Sequence, residues 1–373
     1  MQPISSSSLP QSALAITAVA SLALCHATRA DNILYGVPKV GYGPDGVTPF
    51  PMCVRACDQF LGGETPYPFI MAASGAAFRL AWNTTQWDGG NVDVMLTYDE
   101  PEKAFKMGFA SIGRDYKILN RNEAVTRDDF FAFVKTQIDL GNPCVALGVI
   151  GPPEACIVAG YLDDGQALLG WNFFQNHEPV ETDHNGYFIT RKWWDNKETR
   201  AVMSFAEKHG NLPTFANIVS NAVEVLSPRT HGDYAKGLMA YDAWHKSMQD
   251  DAEFPADITP AALGDRMMCQ DDAMSSLQDG RYNAAVFFKD AAKRHPQHAE
   301  ACEAIAGHFE EVRGAMMKMA PLVGGWFGGG NRPKLLASPE GRVKLCALIN
   351  EAKAADEKAL EKMRRLLESI NYL

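Results

Sequence analysis

Two short apolar runs, CIVAGYL at 156–162 and ALLGWNFF at 167–174, flank Asp163-Asp164-Gly165. Each run reads as a strand, and Asp-Asp-Gly between them is a hairpin turn signal. This pair fixes the register of a buried sheet in the middle of the chain. Its residues are also chemically dense, because Glu154, Cys156, Tyr161, Trp171 and Asn172 fall within a few positions of one another. A strand pair of this kind belongs to a folded domain.

The composition allows this. An apolar content of 46% with 21% charged residues belongs to a folded chain, and 373 residues suffice for one large domain or two ordinary ones. The net charge is -10, with the acidic residues spread along the chain and no basic stripe. Such a surface repels phosphate backbones, which argues against nucleic acid as a partner. Eight cysteines at 25, 53, 57, 144, 156, 269, 302 and 346 are too scattered for a disulfide framework. Cys53 and Cys57 share a helix face and suit a buried pair better than a bridge.

Residues 12–24, SALAITAVASLAL, form an apolar run too short to span a bilayer. Small residues at 28 and 30 suit a signal peptidase, whereas the preceding eleven residues carry no lysine or arginine. The segment 1–31 therefore reads either as an export signal, leading to a periplasmic or secreted protein, or as a loose N-terminal extension of a cytoplasmic one. No other segment is apolar enough to cross a membrane.

From 32 to about 232 the chain mixes short strands, helices and Gly/Pro turns. Pro49 and Pro51 stiffen the approach to a helix expected at 52–61, and a short helix is expected within 99–114. Thr126 is an N-cap with Asp129 three residues on, and Gly141 closes that helix. Strands are expected at CVALGVI, CIVAGYL and ALLGWNFF. After about 232, strand signals vanish and helical periodicity dominates, as in 342–370, where Leu345, Ile349, Ala352, Ala359, Met363 and Leu366 make one face. The reading is an α+β domain at 32–232 followed by an α-helical domain at 233–373.

Four segments carry a family likeness: ILYGVPKVGY, TPFPMCVRACDQFLGG, SGAAFRLAWN with WDGGNVD, and GPPEACIVAGYLDDGQALLGWNFFQ. In that order they resemble the N-terminal domain of the butirosin biosynthesis protein H family. That family belongs to the papain-like cysteine-peptidase-fold group that includes bacteriocin-leader peptidases. The resemblance covers about two-fifths of the chain. It implies a papain-like fold and an acyl-transfer activity, as acyltransferase or amide hydrolase, on a small-molecule, peptide or carrier-bound acyl substrate, with no cofactor and no metal. The nucleophile's position falls on Cys53, at a helix start where the dipole lowers a thiol pKa. The orienting residue's position falls on Asn172. The general base, a histidine in the family, falls on Glu154, and a carboxylate there disfavours the thiolate. His177 and His184 are the nearby substitutes. The alternative implied by this departure is a catalytically inactive domain that binds a small polar ligand or peptide in the old cleft.

Other residues bear on that choice. Glu154 follows Pro152-Pro153 at a strand start, and Arg79 is its expected partner, either as a structural pair or as a recogniser of a polar substrate. Trp171 is either a pocket wall or core, and Tyr161 is a further candidate for the substrate side. Ser74, with Gly75, permits close backbone approach to a ligand or to a neighbouring strand. Cys156 on its apolar strand reads as core. His295, His298 and Cys302 have spacings that can place a metal at a helix start, without a second cluster to complete it. The loop GGWFGGGNRP lacks the lysine of a phosphate-binding P-loop. Asn83-Thr84-Thr85 is a glycosylation sequon only if the host glycosylates exported proteins.

Overall fold

A computed structural model describes residues 30–176, 179–325 and 332–371. The signal-like run, His177 and most of the glycine loop lie outside the described residues. No helix among the described residues is long and apolar enough to cross a membrane.

The strands are β1 (Asn32–Ile33), β2 (Ala81–Asn83), β3 (Arg114–Asn120), β4 (Cys144–Leu147), β5 (Ala155–Leu162), β6 (Ala167–Trp171), β7 (Glu181–Thr182), β8 (Phe188–Thr190), β9 (Ala201–Lys208), β10 (Arg229–His231) and β11 (Tyr234–Lys236). The helices are α1 (Pro49–Phe60), α2 (Tyr67–Ala73), α3 (Pro101–Ala110), α4 (Arg127–Asp139), α5 (Phe215–Leu226), α6 (Leu238–Gln249), α7 (Pro260–Arg294), α8 (Ala299–Leu322), α9 (Arg332–Ala337) and α10 (Pro339–Asn371). The architecture is α+β, with an antiparallel sheet in the order β3-β9-β4-β5-β6-β8-β7 and β1 paired to β5 beyond the end of β4.

The sheet is covered on both faces, which explains the near-continuous apolar character of β5 and β6. One face carries Val145, Leu147, Ala155, Ile157, Leu169 and Met203 and packs on α1 and the helical half. The other carries Cys144, Ala146, Cys156, Val158, Leu168 and Val202 and packs on α4 and Trp193. Asp163 and Asp164, at φ 52° and 51°, turn β5 into β6, with Gly165 at φ 80° completing the turn. Aspartate tolerates this left-handed region better than most residues. The α4 start has the expected capping box: Thr126 Oγ1 accepts from the Asp129 N–H at 3.2 Å, and the Asp129 carboxylate accepts from the Thr126 N–H at 2.9 Å.

Helix α1 differs from the expected one by starting at Pro49, so that both prolines lie inside its first turn. That turn leaves its N–H groups without intrahelical partners, which makes proline harmless there. The expected domain boundary at Gly232 falls in the turn between β10 and β11, and β11 pairs with β2 from the first half. A continuous core runs from Val37 through Cys53 and Ile157 to Leu366 across both halves. Helix α7 approaches the turn at Ala76–Phe78 so closely that a Cβ on Gly280 would stand 2.9 Å from the Ala77 carbonyl oxygen.

One buried pair ties the halves together. Arg281 of α7 and Asp356 of α10 are both fully buried, with Nη2 to Oδ2 at 2.7 Å and Nε at 3.1 Å from both oxygens. The other guanidinium nitrogen donates to the carbonyls of Ala77 at 2.8 Å and Arg79 at 3.3 Å. The Tyr241 hydroxyl donates to Asp356 at 2.7 Å. Removing one partner of such a pair strands a buried charge. Asp356→Ala is expected to lower the unfolding free energy by about 3–5 kcal/mol in urea titration; a loss below about 1 kcal/mol, the range of an exposed pair, would contradict this role.

Candidate functional site

The site begins at α1. Cys53 is the fifth helical residue, fully buried against β5. Of the first-turn residues, Pro49 and Pro51 have no N–H, and the Met52 N–H donates to the Thr48 carbonyl at 3.3 Å. Only Phe50 retains a first-turn N–H for an outside acceptor, so the helix start offers little to an oxyanion. Burial pushes the Cys53 thiol well above its ordinary value, and the neighbouring Cys156, Cys57 and Glu154 push it further. The macrodipole contributes little at a fifth helical position, since its effect fades beyond the first turn.

Glu154 stands just before β5, at the end of the turn from β4. This turn is tightly built. Gly148 has φ +89°, and a Cβ there would meet the Glu198 carbonyl oxygen at 2.1 Å. Val149 follows at φ 71°, a conformation that costs a β-branched residue free energy. The Gly148 N–H donates to the Glu154 carbonyl at 2.9 Å and the Val149 N–H to the Thr199 hydroxyl at 3.2 Å. The Glu154 carboxyl is raised to about 7, chiefly by burial, with Arg79 opposing and Asp93 and Asp272 reinforcing the rise.

Arg79 is buried and donates from Nη1 to the Val92 carbonyl. Burial pushes its guanidinium below the ordinary value, while Glu154, Asp93 and Asp272 push back and Arg281 adds to the lowering. Asp93 caps the short turn after it, accepting from the Met95 N–H at 2.8 Å, and burial raises its carboxyl. Asp272 of α7 is raised to about 7 by burial first and then by Asp271, with Arg79 opposing. Tyr42 closes the group: its desolvated hydroxyl is raised by burial and by Glu154, Asp272 and Cys53, although the residue as a whole is 40% exposed. Three carboxyl groups and one guanidinium therefore act on one another through space, none of them ion-paired within 4.0 Å among the described residues, beside a protonated thiol.

The other candidate residues fall in different places. Asn172 is buried beside Cys156, and its amide is fully occupied. It donates to the Gly148 and Ile150 carbonyls at 3.2 and 3.3 Å, and its oxygen accepts from the Phe174 N–H at 2.7 Å. It clamps the β4–β5 turn onto the end of β6. Trp171 donates from Nε1 to the Val37 carbonyl at 2.8 Å and packs edge-on against Tyr187, which is a core role. Ser74 caps α2, with its hydroxyl donating to the Met71 carbonyl at 3.3 Å. Tyr161 lies on the opposite face of the sheet and bonds Asp139 at 2.8 Å and Lys135 at 2.7 Å. A register shift between Val158 and Gly160 changes the strand's parity and turns Tyr161 away.

No described histidine is among the groups that act on Cys53. His184 sits on an exposed turn beside Asn185, and His177 lies outside the described residues. His295 stacks on Phe215, His298 is within 3.3 Å of the Ser369 hydroxyl, and Cys302 is core. Among the described residues no group of three His, Cys, Asp or Glu is placed to hold a metal. Asp93 and Asp272 were not singled out in the sequence, and for Asp272 the only cue is a run of two acids, Asp271-Asp272, in a long helix that carries other charges as well.

The chain matches no known protein family and no curated protein.

The acidic centre sets a pH dependence. Glu154 rises from an ordinary 4.5 to about 7 on folding, and Asp272 from 3.8 to about 7. Each therefore binds its proton more tightly in the folded state. Their stabilising contribution is complete below the unfolded values and is lost as the pH rises through about 7. Glu154→Gln removes one such titration, so its stability relative to wild type should increase between about pH 5 and about pH 7 in urea unfolding and level off above that. A difference that stays constant over that range would contradict the raised carboxyl.

Proposed function

We propose that this chain is a papain-like domain that has given up thiol chemistry and binds a small polar ligand or peptide in the former cleft, through Glu154, Arg79 and Asp272. The observation that carries the reading is the company of Cys53: a carboxyl group where the family places an imidazole, and no described histidine acting on the thiol. A nucleophilic cysteine needs a base that can take its proton and a site that stabilises the resulting anion. Glu154 does the reverse, since its charge raises the thiol further.

The helix start supports the same conclusion. Two first-turn prolines and an occupied Met52 N–H leave little to hold a tetrahedral oxyanion. Asn172, which orients the base in papain-like enzymes, is spent on main-chain carbonyls. Binding needs none of these. A buried guanidinium in the field of Glu154 and Asp272, whose charges change near neutral pH, can exchange its main-chain acceptor for the acceptors of a ligand.

Alkylation by iodoacetamide at neutral pH with peptide mapping separates this reading from acyl transfer. Cys53 is expected to label no faster than the other six described cysteines, all buried, and to become reactive only on denaturation. Selective labelling of Cys53 in the native protein, abolished by His177→Ala, would overturn the proposal in favour of a cysteine-dependent acyltransferase or hydrolase.

A further inference from the structure

A cavity of about 830 Å³ lies between the segment at 42–47, the outer side of α1, and helices α7 and α8. Tyr42 is shared with the acidic centre, but Cys53, Glu154 and Arg79 do not line this space. Its volume is that of a small-molecule site. Its walls carry the rings of Tyr67 and Tyr282, and its polar groups are mainly donors.

Arg55 reaches it from α1 and Arg313 from α8. Among the described residues neither guanidinium has a carboxylate within ion-pair distance, although α8 forms ion pairs elsewhere with α7 and α10. Arg313 lies over the Tyr282 ring at 5.0 Å, and its Nε is buried with no hydrogen-bond partner. Ser275, on the wall between them, is 4% exposed, and its hydroxyl also has no partner. A helical serine usually satisfies its hydroxyl on the carbonyl one turn back, so a buried hydroxyl left open on a cavity wall implies a partner outside the chain. The two acids at the cavity leave this donor set intact. Asp279 is saturated, accepting from the Val47 N–H at 3.1 Å, Thr48 Oγ1 at 2.7 Å, Tyr67 Oη at 3.1 Å and Asn283 Nδ2 at 2.9 Å. Asp45 is exposed.

Two guanidiniums without carboxylate partners, a buried Nε–H and a buried hydroxyl form a donor set that an oxyanion completes. We propose that this cavity binds the carboxylate or phosphate group of a small organic ligand, held by Arg55, Arg313 and Ser275, with the tyrosine rings receiving its apolar part. The site is separate from the acidic centre and does not depend on the loss of thiol chemistry.

Thermal unfolding of the full chain in inorganic phosphate, acetate and chloride at matched ionic strength tests the assignment. Phosphate, acetate or both should raise the midpoint above that in chloride. Arg313→Gln and Arg55→Gln should each weaken binding by about tenfold or more in calorimetric titration, in line with loss of a charge-assisted contact. Ser275→Ala should weaken it less. A response to phosphate alone assigns a phosphate ligand, and a response to acetate alone a carboxylate. Lys318→Gln, at an exposed ion pair on α8, should leave binding unchanged. Equal midpoints in all three salts, or equal losses in Lys318→Gln and Arg313→Gln, would overturn the proposal.

Discussion

The buried pair of Arg281 and Asp356 is the interaction on which the candidate site depends most. Isolated, each charge would be intolerable at zero exposure; together, and with Tyr241 and two main-chain carbonyls, every donor of the guanidinium that meets protein has an acceptor. The two carbonyls belong to Ala77 and Arg79. The pair therefore anchors the backbone that presents Arg79 to the acidic centre, while the same helix, α7, delivers Asp272 to that centre from the other side. Gly280 lets the helix come close enough for both. Two segments far apart in the chain thus meet at Glu154 because one arginine stitches the helical half to the sheet half.

Electrostatics then decides what that meeting place can do. Desolvation raises each of the three carboxyls, and Arg79 opposes the rise without cancelling it. Glu154 and Asp272 both settle near 7 as a result. Such a centre is poised to change charge with small changes in its surroundings, including an incoming ligand. The same field penalises a thiolate at Cys53. On the proposed reading, the replacement of an imidazole by a carboxyl removes the base and also converts the surroundings of the thiol from anion-accepting to anion-rejecting.

Much of the framework was legible in residue pattern. Asp163-Asp164-Gly165, the runs around it, Thr126 with Asp129 and the period of 342–370 each encode a local decision, and each took the expected form. What was hidden depended on context. Pro49 and Pro51 read as an approach to a helix, but a first turn has no use for their missing N–H groups. Tyr161 read as a candidate for the substrate side, but a shift of register near Val158 places it on the opposite face of the sheet. Asn172 and Trp171 look chemical in sequence, yet their polar atoms serve the main chain. The acidic centre was half legible: Glu154 and Arg79 stood out together, whereas Asp272 reaches them only through tertiary packing of a helix whose own pattern says nothing about its destination. The break at Gly232 marks a change in composition and lies in the turn of a hairpin, with the hydrophobic core running through both halves.

On the proposed reading, Glu154 stands where a base would and keeps its proton to near-neutral pH. Infrared difference spectroscopy of the protonated carboxyl C=O stretch, wild type against Glu154→Gln, measures this directly. The account predicts a band assigned to Glu154 that persists at about pH 6 and is lost as the pH passes through about 7. Complete ionisation of Glu154 by about pH 5 would contradict it, because an ordinary exposed carboxyl behaves in that way.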